Sequence, residues 1–472
     1  MTAVAQPAGP AVDATDATGD PAGPPARVLV PPLGPVPRIK APATAERVLS
    51  TGLRVGAVRR PGVPLVEIRL RVPFFGNGAS HPARSLLLGE TMLTGTEHHD
   101  QVGLAAAFQS LGGDLSVAVD SERLLVGGAV LRTGLAGLLD LLAEVLRSAR
   151  YPVREVAGER SRLIERLSMA RSQPSVLARE ALRHRLFGDH PYARELPEVG
   201  AVAAVTPAQL RRLHADRVSP GEAIVVVVGD LTPGRALDTV EAALGGWDTG
   251  GSPRAPRPLP AIQPGPTVVV DRAGSVQSSI RLGGPALPRD DPDYPALQLA
   301  NLVFGGYFSS RLVENIREDK GYTYGAHSRV EHGACGSVLA LDADVATEVT
   351  APALLETWYE LGKIATLPVT EEELANVRQY ATGTLSMSIA TQAGLASTLS
   401  ALAGVGLGLD WLREHPGRLA GVTRDDVFAV ARRFLAPSGF VTVVLGDAEQ
   451  IGAPVATLGP VEVVEAEPVD DQ

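Results

Sequence analysis

The sequence predicts an α+β fold built from two tandem homologous halves, and three observations lead there. First, segments recur in the same order at a nearly constant spacing. "HPARSLLLGETM" begins at His81, and "YPALQLANLVFG" begins at Tyr294, 213 positions later. "YPVREVAGERSRLIERLSM" from Tyr151 is matched by "LPVTEEELANVRQYATGTLSM" from Leu367, 216 later. "VTPAQLRRLHADRVSPGEAIVVVVGD" from Val205 is matched by "VTRDDVFAVARRFLAPSGFVTVVLGD" from Val422, 217 later. Order and offset kept together are the mark of a duplicated unit. Second, helix and strand patterns alternate without a regular βαβ rhythm, which favours α+β over a doubly wound sheet. Third, the Pro/Gly-rich "GGSPRAPRPLPAIQPGPT", residues 250–267, falls between the copies and reads as a linker.

The elements follow in order. Residues 1–44 are rich in Ala, Pro and Gly and are expected to form a disordered tail. The first half is placed at residues 45–249. Its "VEIRLRV" alternates Val66, Ile68, Leu70 and Val72 with Glu67, Arg69 and Arg71, the pattern of a half-exposed strand. "ERLLVGGAVL" is a further strand. "GLLDLLAEVLRSA" is an amphipathic helix with Leu138, Leu139, Leu142 and Val145 on one stripe. Thr206 caps the next helix, with Pro207 in its first turn, and "AIVVVVGD" closes the unit as a fully buried strand. The second half is placed at residues 268–452. An acidic, frayed tail is expected over residues 453–472.

Composition excludes some classes of function. The chain of 472 residues carries a net charge of -10 and no basic run at either end, which argues against nucleic acid or an anionic membrane as partner. No stretch approaches the ~20 apolar residues of a membrane span. The first residues lack the basic and apolar regions of a secretory signal, so a cytoplasmic location is expected. The single cysteine, Cys335, rules out an internal disulfide framework and reads as a buried, inert thiol in "GACGS".

One stretch points to chemistry. "SLLLGETMLTGT", Ser85 to Thr96, has the setting of an inverted zinc-peptidase helix, His-x-x-Glu-His followed by Met-Leu and Gly-Thr. Two ligands at i and i+4 share one helix face, and the intervening glutamate acts as general base on metal-bound water. Aligned on Glu90 as the base, the ligand positions hold Leu87 and Thr91, neither of which can serve. "TEHHD", residues 96–100, offers adjacent histidines but no i, i+4 frame, and reads as a solvated loop. His190 in "FGDHPY" reads as a turn residue, and Ser309-Ser310 has no local base.

Residues 45–450 resemble the insulinase, or pitrilysin-type, zinc metallopeptidases, which include mitochondrial processing peptidase. The motif helix, the duplicated halves, "LFGDHPYAR" at 186–194 and "VVVVGDL" at 225–231 carry the resemblance. It implies a third ligand seven residues after the Glu of a Glu-Arg pair; here the pair is Glu159-Arg160 and the position holds Arg166. All three ligands are thus missing, and no metal is expected in this chain. A guanidinium ~4 Å from a dication would cost roughly 8 kcal/mol at an effective dielectric near 20. Arg166 is expected to turn toward Glu90 instead. The resemblance also assigns substrate binding to Arg317 and Tyr324 in "FGGYFSSRLVENIREDKGYTYGAHS" of the second half. Arginine would offer a rigid fork of donors to a substrate carbonyl or carboxylate, and tyrosine a hydroxyl to an oxyanion.

In two-subunit relatives one chain carries zinc, the other carries the Arg/Tyr pair, and together they form a closed clamshell chamber; the resemblance implies that the two halves of this chain form a clamshell. The resemblance therefore implies a non-catalytic, substrate-orienting subunit of a heteromeric peptidase. Zinc would sit in a homologous partner subunit, and the substrates would be peptides or unfolded proteins. A structural or peptide-binding core-type protein is the alternative, and an active endopeptidase with an unrecognised site is a third reading.

Overall fold

Two six-stranded sheets organise the chain in the computed structural model, which describes residues 42–248, 251 and 256–465. The first comprises β1 (Thr44–Val48), β2 (Arg54–Arg59), β3 (Leu65–Pro73), β4 (Gly113–Val119), β5 (Arg123–Leu131) and β6 (Ile224–Gly229), in the spatial order β1-β2-β6-β3-β5-β4. The second comprises β7 (Thr267–Asp271), β8 (Gln277–Pro285), β9 (Thr323–Gly333), β10 (Gly336–Ala346), β11 (Val441–Gly446) and β12 (Val461–Glu465), in the order β12-β7-β11-β8-β10-β9. The valine-rich β6 and β11 are buried along their whole length. Each runs parallel to one neighbour (β2 or β7) and antiparallel to the other (β3 or β8). The α+β class and the tandem halves expected from the sequence are both present.

Helices that the sequence marks form as expected. Leu138, Leu139, Leu142 and Val145 of the helix Leu135–Ser148 are fully buried. Thr206 caps Pro207–Arg217, its side chain accepting from the Gln209 N–H in a reciprocal capping box. Among the described residues no helix is long and apolar enough to cross a membrane.

The boundaries differ in three places. Val461–Glu465 lies inside the segment expected to fray, yet it is a strand parallel to β7. In the first sheet β1 covers the matching edge of β2, and an uncovered edge would leave a row of unpaired N–H and C=O groups. The second half fills that slot with the chain's end. Thr44 and Thr267, the last residues assigned to the tail and the linker, each open a strand. The remainder of both tails and part of the linker lie outside the described residues.

A larger difference concerns packing. The helix Pro174–Phe187 follows the first-half sequence but packs on β8 and β11 of the second sheet. Its Ala178, Leu182, Leu186 and Phe187 share an apolar cluster with Val270, Val443 and Leu445. Gly283 of β8 is so close that a Cβ there would stand 2.6 Å from Leu186 Cδ1. Reciprocally, Gln392–Ala403 packs on β3 and β6 of the first sheet. Gln392 donates to the carbonyls of Arg60 (2.8 Å) and Val63 (3.1 Å), and Arg69 Nε donates to Ser397 Oγ at 3.2 Å. This corrects the reading of β3 as half-exposed: its charged face lies under a helix of the other half, and Arg71 is buried. The described residues accordingly form one compact unit.

Candidate functional site

The motif segment folds as the helix His81–Thr91, with Pro82 in its first turn. Ala83, Leu87, Leu88, Thr91 and Met92 recur at helical spacing and are all fully buried in the first-half core. Thr91 Oγ1, denied solvent, donates back to the Leu87 carbonyl at 2.5 Å. The opposite face presents Glu90, exposed, and Leu86 four residues earlier, half-buried. Glu90 meets the neighbouring helix Val153–Arg171, where Arg166 Nη2 stands 2.6 Å from Glu90 Oε1.

That geometry corrects the motif's frame by one residue. Leu87 and Thr91 face the core, so they cannot be the positions at which ligands would converge with residue 166. The i, i+4 pair on the outward face is Leu86 and Glu90, which puts Glu90 at a ligand position and Gly89 at the base position. A Cβ at Gly89 would lie 2.8 Å from Val119 Cγ2, so the base position has been filled by β4. A run of three leucines gives no phase of its own, which is why the sequence misled.

These residues do not fit zinc. Leu86 offers no donor atom, Gly89 no side chain, and the one carboxylate is engaged by a guanidinium. Among the described residues no group of three or more His, Cys, Asp or Glu is placed to hold a metal ion. The Glu90–Arg166 pair is itself weak. Its side chains are 36% and 52% exposed, and such pairs contribute about 0–1 kcal/mol.

In the second half the equivalent helix, Tyr294–Asn301, runs into a π-helical turn, Leu302–Gly306. The short helix Arg311–Val313 then passes into a second π-helical turn, Glu314–Asp319. π-helical turns are rare and concentrate at functional sites. Gly305 is required by packing, since a Cβ there would stand 2.9 Å from Ser328 Oγ on β9. Arg317 sits in the second turn with its guanidinium 4.4 Å from the Phe308 ring centroid and Nη1 3.2 Å from Glu318 Oε1. Gly321, at φ +64°, turns the chain into β9. Three residues on, Tyr324 is 98% exposed on the outer edge strand. Among the described residues no hydrogen bond or ion pair joins Arg317 or Tyr324 to Glu90 or Arg166. The Phe308 stack was not anticipated, although an aromatic two residues before Ser310 in "GGYFSS" was a visible signal.

Comparison with known proteins decides the family. Residues 77–198 match the insulinase family, peptidase family M16, and residues 204–380 match the peptidase M16 inactive domain. The chain belongs to the insulinase family. An uncharacterized zinc protease of Streptomyces coelicolor is 27% identical over 374 residues, 76% of this chain and 78% of that protein. A probable inactive metalloprotease of Bacillus subtilis is 23% identical over 309 residues, 62% of this chain and 70% of that one. The crystal structure of a peptidase M16 inactive domain from Pseudomonas fluorescens shares the fold, with a TM-score of 0.76 at 24% identity over 86% of this chain and 98% of that chain. The inactive-domain match over residues 204–380 and the relative named a probable inactive metalloprotease point to a non-catalytic M16-like chain.

Other reactive residues of this insulinase-family chain have structural duties. His99 Nδ1 donates to Glu144 Oε1 at 3.0 Å, and Asp100 caps a helix by accepting from Gly103 N at 2.7 Å. His190 is buried; its Nδ1 accepts from Tyr192 N, and Nε2 donates to the Arg257 carbonyl at 2.9 Å, tying down the linker. Among the described residues Ser310 Oγ is buried without a hydrogen-bond partner, hence without a base. Burial pushes the Cys335 thiol up to about 12, the condition of an unreactive cysteine.

Proposed function

We propose that this chain is the substrate-orienting subunit of a cytoplasmic, heteromeric insulinase-family peptidase acting on peptides or unfolded proteins. The observation that supports it is an asymmetry between the halves. In the first half the ligand and base positions hold Leu86, Gly89, Glu90 and Arg166. In the second, Arg317 and Tyr324 keep their chemistry, with Tyr324 exposed to solvent and Arg317 braced over the Phe308 ring. A braced guanidinium loses less freedom on binding a carboxylate or carbonyl than a free one. The homologous partner subunit would supply zinc, and with it the activated water. This chain's part is to hold the peptide and to donate the Tyr324 hydroxyl to the developing oxyanion.

The test is reconstitution. The endogenous complex is isolated through this chain, its partner identified by mass spectrometry, and the pair assembled from purified subunits. Peptide hydrolysis should require both, and Arg317→Ala with Tyr324→Phe should lower kcat/KM about 100-fold or more. An assembled pair whose activity ignores that double substitution rules the reading out.

A further inference from the structure

A polar cleft, of about 580 Å³, opens between the π-helical turn Glu314–Asp319 and the helix Thr350–Thr366. Its floor holds Glu360, which is 2% exposed. Glu360 Oε1 accepts from Asn315 Nδ2 at 3.0 Å and lies 3.4 Å from Lys363 Nζ, but among the described residues Oε2 has no partner. Asn315 Oδ1 has none either. Two buried acceptors without donors are costly, at about 1–3 kcal/mol for each group left unsatisfied.

The duplication supplies an internal control. "LLDLLAE" of the first half aligns with "LLETWYE" of the second, so Glu144 and Glu360 are equivalent. Glu144 takes the Thr96 hydroxyl and His99 Nδ1 on one oxygen, Oε1, and is only half-buried, whereas Glu360 is enclosed. Glu360 has no such histidine, and an open cleft stands beside it. A donor entering from the cleft would complete its hydrogen bonding.

The charges around the cleft say what kind of donor. Its cations are already engaged: Arg311 by Glu373 at 2.6 and 2.9 Å, Lys320 by Glu356 at 3.5 Å, and Lys363 by Glu360 itself. Glu314 and Asp319 also line the cleft and carry no ion pair among the described residues. Tyr359, 57% exposed, provides an aromatic wall that already draws one cation, Lys363 Nζ at 5.7 Å from its ring centroid. Arg311 Nη1 lacks an acceptor, which a carbonyl beside the ligand's cationic group would supply. The absence of any metal-ligating group of three among the described residues turns the choice from a metal ion to an organic cation.

We propose that this cleft binds a guanidinium or ammonium group, whose N–H donors reach Glu360 Oε2 and Asn315 Oδ1 along the face of Tyr359. Titration calorimetry of the full chain tests it, with agmatine and with the tripeptide glycyl-arginyl-glycine as probes. Saturable one-site binding is expected, weakened at least tenfold by Glu360→Gln and at least threefold by Tyr359→Ala. Glu144→Gln should leave it unchanged. Binding of agmatine assigns a small free cation, whereas binding of the tripeptide alone assigns a basic side chain of a larger molecule. Saturable heat from neither probe overturns the proposal, as does affinity unmoved by Glu360→Gln in a variant with a native circular dichroism spectrum. Should Glu360→Gln fail to fold, Tyr359→Ala decides, because its exposed side chain has no part in the core.

Discussion

The carboxylate of Glu122, on the β4–β5 turn of the first half, accepts the backbone N–H of Ala334 at 3.0 Å, on the β9–β10 turn of the second. The same carboxylate takes the Tyr192 hydroxyl and lies 3.3 Å from Arg71 Nη2, with both charged side chains nearly enclosed. Removing the acid would leave Arg71 buried without a counter-charge, and breaking such a pair costs about 3–5 kcal/mol. Glu122→Ala should lower stability by about that amount in urea denaturation. A loss under ~1 kcal/mol would mean that the turns are held together by something else.

The corrected frame of the motif helix can be tested by restoring ligands. Leu86→His, Glu90→His and Arg166→Glu together should yield a chain that retains about one zinc after dialysis, measured by plasma mass spectrometry. Histidines at positions 87 and 91 with the same Arg166→Glu should retain none, and should cost about 2–5 kcal/mol because Leu87 lies in the core. The first should hydrolyse no peptide, since position 89, its base position, is blocked by Val119, and the second none for want of zinc. Zinc held in the second variant and not the first would put the frame back at 87 and 91.

The Glu90–Arg166 pair should matter little to folding. A double-mutant cycle with Glu90→Ala and Arg166→Ala is expected to give a coupling below ~1 kcal/mol, shrinking as salt rises.

Acid stability should depend on Glu373. Burial pushes its carboxyl up, but the fork of Arg311 and the contacts with Thr370 outweigh that and hold it at about 2, below the ordinary 4.5. A carboxyl depressed in the folded state stabilises fully above its unfolded value, and that contribution is lost as pH falls through the folded value. Thermal melts should therefore lose ground between about pH 4.5 and pH 2, and Glu373→Gln should flatten that part of the profile. An identical slope in the variant would remove Glu373 from the account.

Much of this was legible in the sequence. The duplicated segments gave two sheets, and Leu138, Leu139, Leu142 and Val145 gave a buried stripe, because these signals are local and periodic. The approach of Arg166 to Glu90 was legible too, once the family resemblance put both positions at one site and their charges were opposite. The one-residue phase of the motif helix was not, because Leu86, Leu87 and Leu88 are equally apolar and only the sheet beneath decides which two are covered. The strand at Val461–Glu465 was hidden by its glutamates, which face outward from an edge. The packing partners of Pro174–Phe187 and Gln392–Ala403 were also hidden: each is moderately apolar and would suit either sheet, and nothing local says which.

That reciprocal packing sets what would happen if the backbone were cut between the copies. Each fragment would carry off the helix that roofs its sibling's sheet and would expose a bare apolar surface in its own. Proteolytic nicking near residue 255 should thus leave a stoichiometric, non-covalent pair that comes apart only on denaturation. A gene split at that point would encode two polypeptides obliged to be made together.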